Sequence, residues 1–538
     1  MHGFDTFIQE FKDFYLAFHP VLASTMGDHR FDHLLGDQSE AANERFYEGL
    51  KDFEARLAEF DPAEIPEDRG IDEAIFHGML KVLTLEHEEI GWHRLLPQTY
   101  LETVLDGVHV LLSRDFAPLP ERLSNVLARL KEAPKVLANG KAILTRPARI
   151  WTQTAIEVAE GGCAFLDEVV LPLAPQLDGL AEAVAEAKHA ITDFRRFLEA
   201  ELLPRSDREL GIGEFLYNFK LRHEHHFDLS AEDLLAIGEE ARQTTLRQLE
   251  ETARRIDPAT TWQELVERHK DEHPTAEGLL DAYRNEMERA RAFVKEKGLA
   301  TLPEGDHLRV IETPRFIRSV IPYAAYDSPG VYEKAQEGQF YVTPADPTLS
   351  TEDQAEQLRG HNRFGVPVTA LHEGYPGHHM QLVLANRQDA PIRHLFGNNA
   401  YCEGWALYCE EMMYEQGFYP DEITRLFQLK DVLWRACRVI VDASLQTGRM
   451  TFDEAVDFLV DEAKLERINA ESEVTWYSYS PAYPMSYLMG KRGILAIREA
   501  YQQALGDRFA LRDFHDRLLS LGTIPVPLAE AAMLAALG

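Results

Sequence analysis

Apolar residues recur three and four positions apart over most of the first 300 residues, with charged residues between them. Residues 41–60 (AANERFYEGLKDFEARLAEF) and 176–203 show this spacing and read as amphipathic helices. Ser230-Ala-Glu-Asp before an apolar run has the form of a helix N-cap with acids in the first turn. Prolines at 118, 120, 134, 172, 175, 204 and 258 are expected between helices rather than in their middles. Near residue 301 the pattern changes. The runs 308–313 (LRVIET), 318–324 (RSVIPYA) and 338–343 (GQFYVT) are short, β-branched or aromatic, and bordered by Pro and Gly, which predicts a small sheet. Helical spacing returns at Thr351, and Thr451-Phe-Asp-Glu has the capping-box form. The expected fold is mainly α. A helical N-terminal half (1–300), a sheet segment (301–345) and a helical half carrying the chemistry (346–538) would form one continuous body.

Composition narrows the function. The chain has 538 residues, 45% of them hydrophobic, which provides for a large core and excludes wholesale disorder. Lys and Arg number 55 against 90 Asp and Glu, a net charge of −35. Such a surface repels phosphate backbones and anionic lipid, so nucleic acid and membrane are not expected partners. Oligomeric state is not legible. The four cysteines, Cys163, Cys402, Cys409 and Cys437, form no CxxC pair and read as reduced thiols. The N-terminal segment lacks the basic and apolar regions of an export signal, and no stretch has the roughly 20 apolar residues of a membrane span. The expected location is cytoplasmic.

Candidate chemistry concentrates in residues 369–380, TALHEGYPGHHM. In an HExxH zinc helix, two His at i and i+4 share a face and the Glu serves as general base. Here position i+4 from His372 is Pro376, and on an unbroken helix His378 would lie about 9 Å along the axis. If both histidines bind one metal the helix must break, and Gly374, Pro376 and Gly377 are residues that allow it. His379 is the alternative ligand. His87-Glu88-x4-His93 repeats the same spacing without a breaker and reads as a solvated helical face turning at Gly91. His223-Glu224-His225-His226 reads as a polar segment before the Ser230 cap. Glu403, among Tyr401, Trp405, Ala406 and Leu407, lies where zinc peptidases draw a glutamate third ligand from a neighbouring helix. A carboxylate in that company is costly to bury unless paired or metal-bound. Glu410 and Glu411 read as solvated. Tyr477, Tyr479, Tyr483 and Tyr487 form a cluster that offers hydroxyl donors to an oxyanion or serves as packing.

The run ALHEGYPGHH, Glu403-Gly-Trp-Ala, LLPRSDRELGIGEFLYNFKLR before Ser230 and LRDFHDRLLSLGTIPVPLAE near the C-terminus together resemble the bacterial "domain of unknown function 885" family. That family is similar to helical zinc peptidases of the carboxypeptidase Taq, thimet oligopeptidase and angiotensin-converting enzyme kind. The resemblance implies a two-lobed helical body with a small sheet beside a deep cleft. It implies zinc held by His372, His378 and Glu403, with Glu373 as base. Ser486-Tyr487-Leu488 resembles the oligopeptidase segment bearing an oxyanion-stabilising Tyr, and Tyr483 stands beside it as a substrate contact. The strand ending Phe340-Tyr341-Val342-Thr343 resembles the one that pairs with substrate backbone, which makes Tyr341 a substrate-binding candidate. Gln446 stands where many members carry His, so position 446 is given no catalytic role. Arg435 and Arg438, in DVLWRACRVIVDA, could hold a substrate carboxylate or form salt bridges within an acidic protein. The expected activity is zinc-dependent hydrolysis of short unstructured peptides. A zinc amidase acting on N-acylated amino acids and a non-catalytic helical binding protein are the alternatives.

Overall fold

The computed structural model describes residues 3–318, 321, 323–346 and 348–537. The protein is mainly helical with one small sheet. Two marked helix starts are found where expected, whereas Pro134, expected between helices, lies inside Leu119–Ile143. Ser230 caps Ala231–Ile256 in a reciprocal box with Asp233, and Thr451 does the same for Phe452–Ala463 with Glu454.

The chain divides into two compact units. One comprises the chain up to Glu209 with Arg315–Ile317 and Gly330–Lys334. Its core interleaves Leu101 and Val104 of the helix Gln98–Ser113, Leu130 and Leu137 of Leu119–Ile143, and Ile191 of Leu180–Phe197. The N-terminal helix Gly3–Phe18 adds Phe7 and Phe11 against Phe53 and Phe76. The second unit comprises Leu210–Pro314, Arg318–Pro329 and Ala335–Gly538. Its spine is the helix Glu422–Gln446, every residue of which is buried from Ala436 onward, so no polar face is left to solvent there. The change of texture near 301 therefore marks a sheet within the second unit rather than a boundary between units.

The sheet comprises β1 (His307–Glu312), β2 (Ala324–Asp327) and β3 (Glu337–Val342), in the order β1-β3-β2. β1 runs parallel to β3 with Val310 opposite Phe340, and β2 antiparallel with Tyr326 opposite Phe340. The first and third strands match expectation to within one residue. The run 318–324 meets β2 only at Ala324, and residues 319, 320 and 322 lie outside the described residues.

One expectation is corrected. β3 is the central strand, paired on both sides, so Phe340–Thr343 presents no edge to a substrate. Gly338–Val342 are all buried, as expected of a strand covered on both faces. Tyr341 is 5% exposed and donates its hydroxyl to Gln339 Oε1 at 2.8 Å, so it is a packing residue rather than a substrate contact.

Candidate metal centre

The HEGYPGHH segment forms two helices rather than one, Gly365–Glu373 and His378–Ala385. Between them Gly374–Gly377 folds back, with a cis peptide at Tyr375–Pro376. The Gly377 N–H donates to Leu371 O at 3.0 Å, and a Cβ at position 377 would stand 1.8 Å from the His372 carbonyl oxygen. Only glycine fits that approach. The Pro376 carbonyl accepts from the Trp405 indole at 2.8 Å, which ties the break to the helix Asn399–Glu415. The result sets the His372 and His378 rings 4.8 Å apart at 87°.

Glu403 reaches the pair from the helix Asn399–Glu415, which Asn398 caps. Its Oε2 lies 3.2 Å from His378 Nε2 and 3.7 Å from His372 Nε2. The three ligand atoms fall within 4.8 Å of one another, all on buried residues, the one such triad among the described residues. Each ligand has an outer partner. His372 Nδ1 lies 2.8 Å from Glu410 Oε1, His378 Nδ1 lies 3.4 Å from Cys402 Sγ, and Tyr483 donates its hydroxyl to Glu403 Oε1 at 2.7 Å. These contacts occupy the outer ring nitrogens and leave both Nε2 atoms for a metal, as at zinc sites. Two imidazoles and a carboxylate are a zinc donor set, so the residues present fit that ion.

Burial opposes charge on His378, yet Cys402 and Glu403 outweigh it and hold its pKa well above the usual imidazole range. His372 is raised against burial by hydrogen bonds to Glu403 and Glu410. Burial works to raise Glu403, but the two histidines hold its carboxyl well below the ordinary range. The three donors therefore form a buried cluster whose charges support one another.

Glu373 ends the first ligand helix and accepts no hydrogen bond among the described residues. Burial pushes its carboxyl above the usual range. Tyr487 is 9% exposed, and its hydroxyl has no partner among the described residues. Burial, with Glu403 nearby, raises its pKa, so it stays a neutral donor. Tyr483, expected as a substrate contact, is instead spent on orienting Glu403. Tyr487 is delivered by a close helix crossing. Gly404 meets Gly490 of the helix Ser486–Leu505, where a Cβ on Gly490 would stand 1.7 Å from Ala400 O.

The remaining candidates separate clearly. His379 turns away from the triad. Its Nε2 lies 3.1 Å from Asp306 Oδ2 and its Nδ1 3.0 Å from the Tyr326 hydroxyl, so both nitrogens are occupied. Arg438 is committed to Tyr477 and Glu473, each at 2.7 Å, in the manner of the salt-bridge alternative. Arg435 has no such pairing. Glu410 and Glu411, expected in solvent, are both engaged: Glu410 is 1% exposed on His372, and Glu411 pairs with Arg425 and Lys491. Gln446 donates to Tyr477 O and takes no part in the triad. His87 and His93 stack on each other across a left-handed turn at Gly91. His225 is buried beside Asn398.

Fold and site thus define a mainly helical protein with a buried His-His-Glu centre. The chain belongs to the bacterial family of unknown function DUF885, whose profile matches residues 20–533. Two solved structures share the fold. One, a candidate lipoprotein of unknown function from Shewanella oneidensis, has a TM-score of 0.81 at 26% identity, covering 99% of this chain and 100% of that one. Another, a candidate lipoprotein from Colwellia psychrerythraea, has a TM-score of 0.84 at 20% identity, covering 99% and 98%. No curated protein matches the chain. No described helix is long and apolar enough to cross a membrane.

Proposed function

We propose that the protein is a zinc-dependent hydrolase of amide bonds in short, unstructured peptides. The observation that carries this reading is the convergence of His372 Nε2, His378 Nε2 and the Glu403 carboxylate, with Glu373 adjoining the first ligand in the chain. Bound zinc would supply a Lewis acid and lower the pKa of water towards about 7. The chain's own residues do the rest. Glu373 accepts the proton of the attacking water as the C–O bond forms and returns it to the departing amine nitrogen as the C–N bond breaks. The Tyr487 hydroxyl donates to the carbonyl oxygen as negative charge gathers on it. Glu410 and Tyr483 keep the ligands in register. A peptidase-like cleft over the centre belongs to this reading, and so does a reducing, cytoplasmic setting for the four free thiols.

Metal analysis of protein purified without added metal, with a chelator-controlled digest of mixed peptides, tests it. About one zinc per chain and chelator-sensitive cleavage of peptides, with folded proteins left intact, are expected. Metal-free protein, or cleavage that ignores chelators, overturns the reading.

A further inference from the structure

The helix Glu422–Gln446 carries three largely buried arginines, and two of them are satisfied. Arg425 pairs with Glu411 at 2.8 Å and Gln428 at 2.6 Å, and Arg438 with Glu473 and Tyr477. Arg435 differs. Its side chain is 13% exposed, yet its Nη1 reaches only Asp431, at 3.4 Å to the main-chain oxygen and 3.8 Å to the carboxylate. Its Nε is buried without a partner among the described residues. Charge-assisted bonds to guanidinium usually lie near 2.7–2.9 Å, so this fork is held but not filled. Leaving its donors unpaired out of water is costly, and a ligand that supplies the missing acceptors recovers that cost.

The surroundings show where such a ligand would sit. The guanidinium carbon lies 4.5 Å from the Trp434 ring centre and 5.9 Å from that of Tyr487. Arg435 is among the charges acting on both Glu373 and Tyr487. An unfilled planar fork therefore faces the same ground as the proposed base and oxyanion donor. The group that matches it is planar, anionic and two-oxygened. A chain of net charge −35 is poorly suited to gather acidic side chains. Every unmodified peptide, whatever its sequence, carries one α-carboxylate at its C-terminus.

We propose that Arg435 binds the free C-terminal carboxylate of the substrate, which makes the enzyme an exopeptidase acting from that end. This inference rests on the hydrolytic reading above and adds the direction of cleavage to it. The test compares one unstructured peptide as its free acid and as its C-terminal amide, using zinc-loaded protein. The free acid should be cleaved at least about tenfold faster by kcat/KM, the scale of a lost charged hydrogen bond. Arg435→Met should bring the ratio near one, mainly through KM and with zinc content unchanged, and Arg435→Lys should restore part of it. Calorimetric binding of a short free-acid peptide against its amide to the wild type gives the same discrimination should the Met variant fold poorly. Equal cleavage of both forms by the wild type overturns the inference and leaves the hydrolytic reading standing. Cleavage of neither form with zinc bound overturns both.

Discussion

At the scale of single residues, the question is which neighbour of a histidine pair meets the metal. His378 and His379 are adjacent in sequence, but helix geometry sends consecutive side chains about 100° apart. His378 faces Glu403, and His379 faces Asp306 and Tyr326. His378→Ala should abolish zinc binding while the fold persists. His379→Ala should keep the metal and cost about 2–4 kcal/mol, because it leaves a buried carboxylate with only the Tyr375 hydroxyl and Arg291 at 3.9 Å. Elemental analysis and denaturant melts separate the two, and loss of zinc from the His379 variant would refute the assignment. Glu373→Gln should hold zinc with its neighbours unchanged and lose at least about 100-fold in kcat. If zinc left with the activity, Glu373 would be a ligand. The residue types make the His372–His379 segment and Glu403 candidates, but they leave His378 and His379 as alternatives, and the full ligand set comes from the family resemblance. The outer partners are not legible. Glu410 and Glu411 are consecutive acids in the sequence, and only the fold decides that one meets His372 and the other Arg425.

At the scale of elements, backbone proximity sets the site. Gly404 and Gly490 let two long helices cross almost in contact, and the crossing carries Glu403 on one side and Tyr487 on the other. An added Cβ at position 490 must push against a main-chain oxygen, which cannot swing aside as a side chain can. Gly490→Ala should therefore destabilise by about 3 kcal/mol or more and lower activity in the protein that still folds. A melt matching the wild type would show that the helices separate freely. Neither glycine announces this in the sequence, since a glycine inside a helical pattern looks only like a weak helix former. The sheet is a like case. Three strands are readable from composition, but their order is not, and order decides that β3 is enclosed while β1 and β2 form the edges. A buried central strand and a substrate-facing one share the same apolar residues.

At the scale of the whole molecule, every residue of the candidate centre belongs to one of the two compact units. Metal binding should therefore stabilise that unit selectively, because a ligand that binds only the folded form adds stability where it binds. Hydrogen exchange after chelation should quicken in the helices Gly365–Glu373, His378–Ala385 and Asn399–Glu415 and stay unchanged in Gln98–Ser113 and Leu119–Ile143. Uniform quickening through both units would contradict this. The division of the chain was the least legible feature. Helices of similar amphipathic pattern build both units, and segments around 315–317 and 330–334 return to the first after the chain has entered the second.

The bond from the Trp405 indole to the Pro376 carbonyl has a further consequence. It fastens the turn between the two histidine helices to the helix that brings the glutamate, and it does so through protein atoms alone. The three donors are then positioned before any ion arrives, so their ordering entropy is met during folding rather than at capture. Loading becomes a matter of access to a finished socket, and emptied protein should refill without passing through an unfolded state.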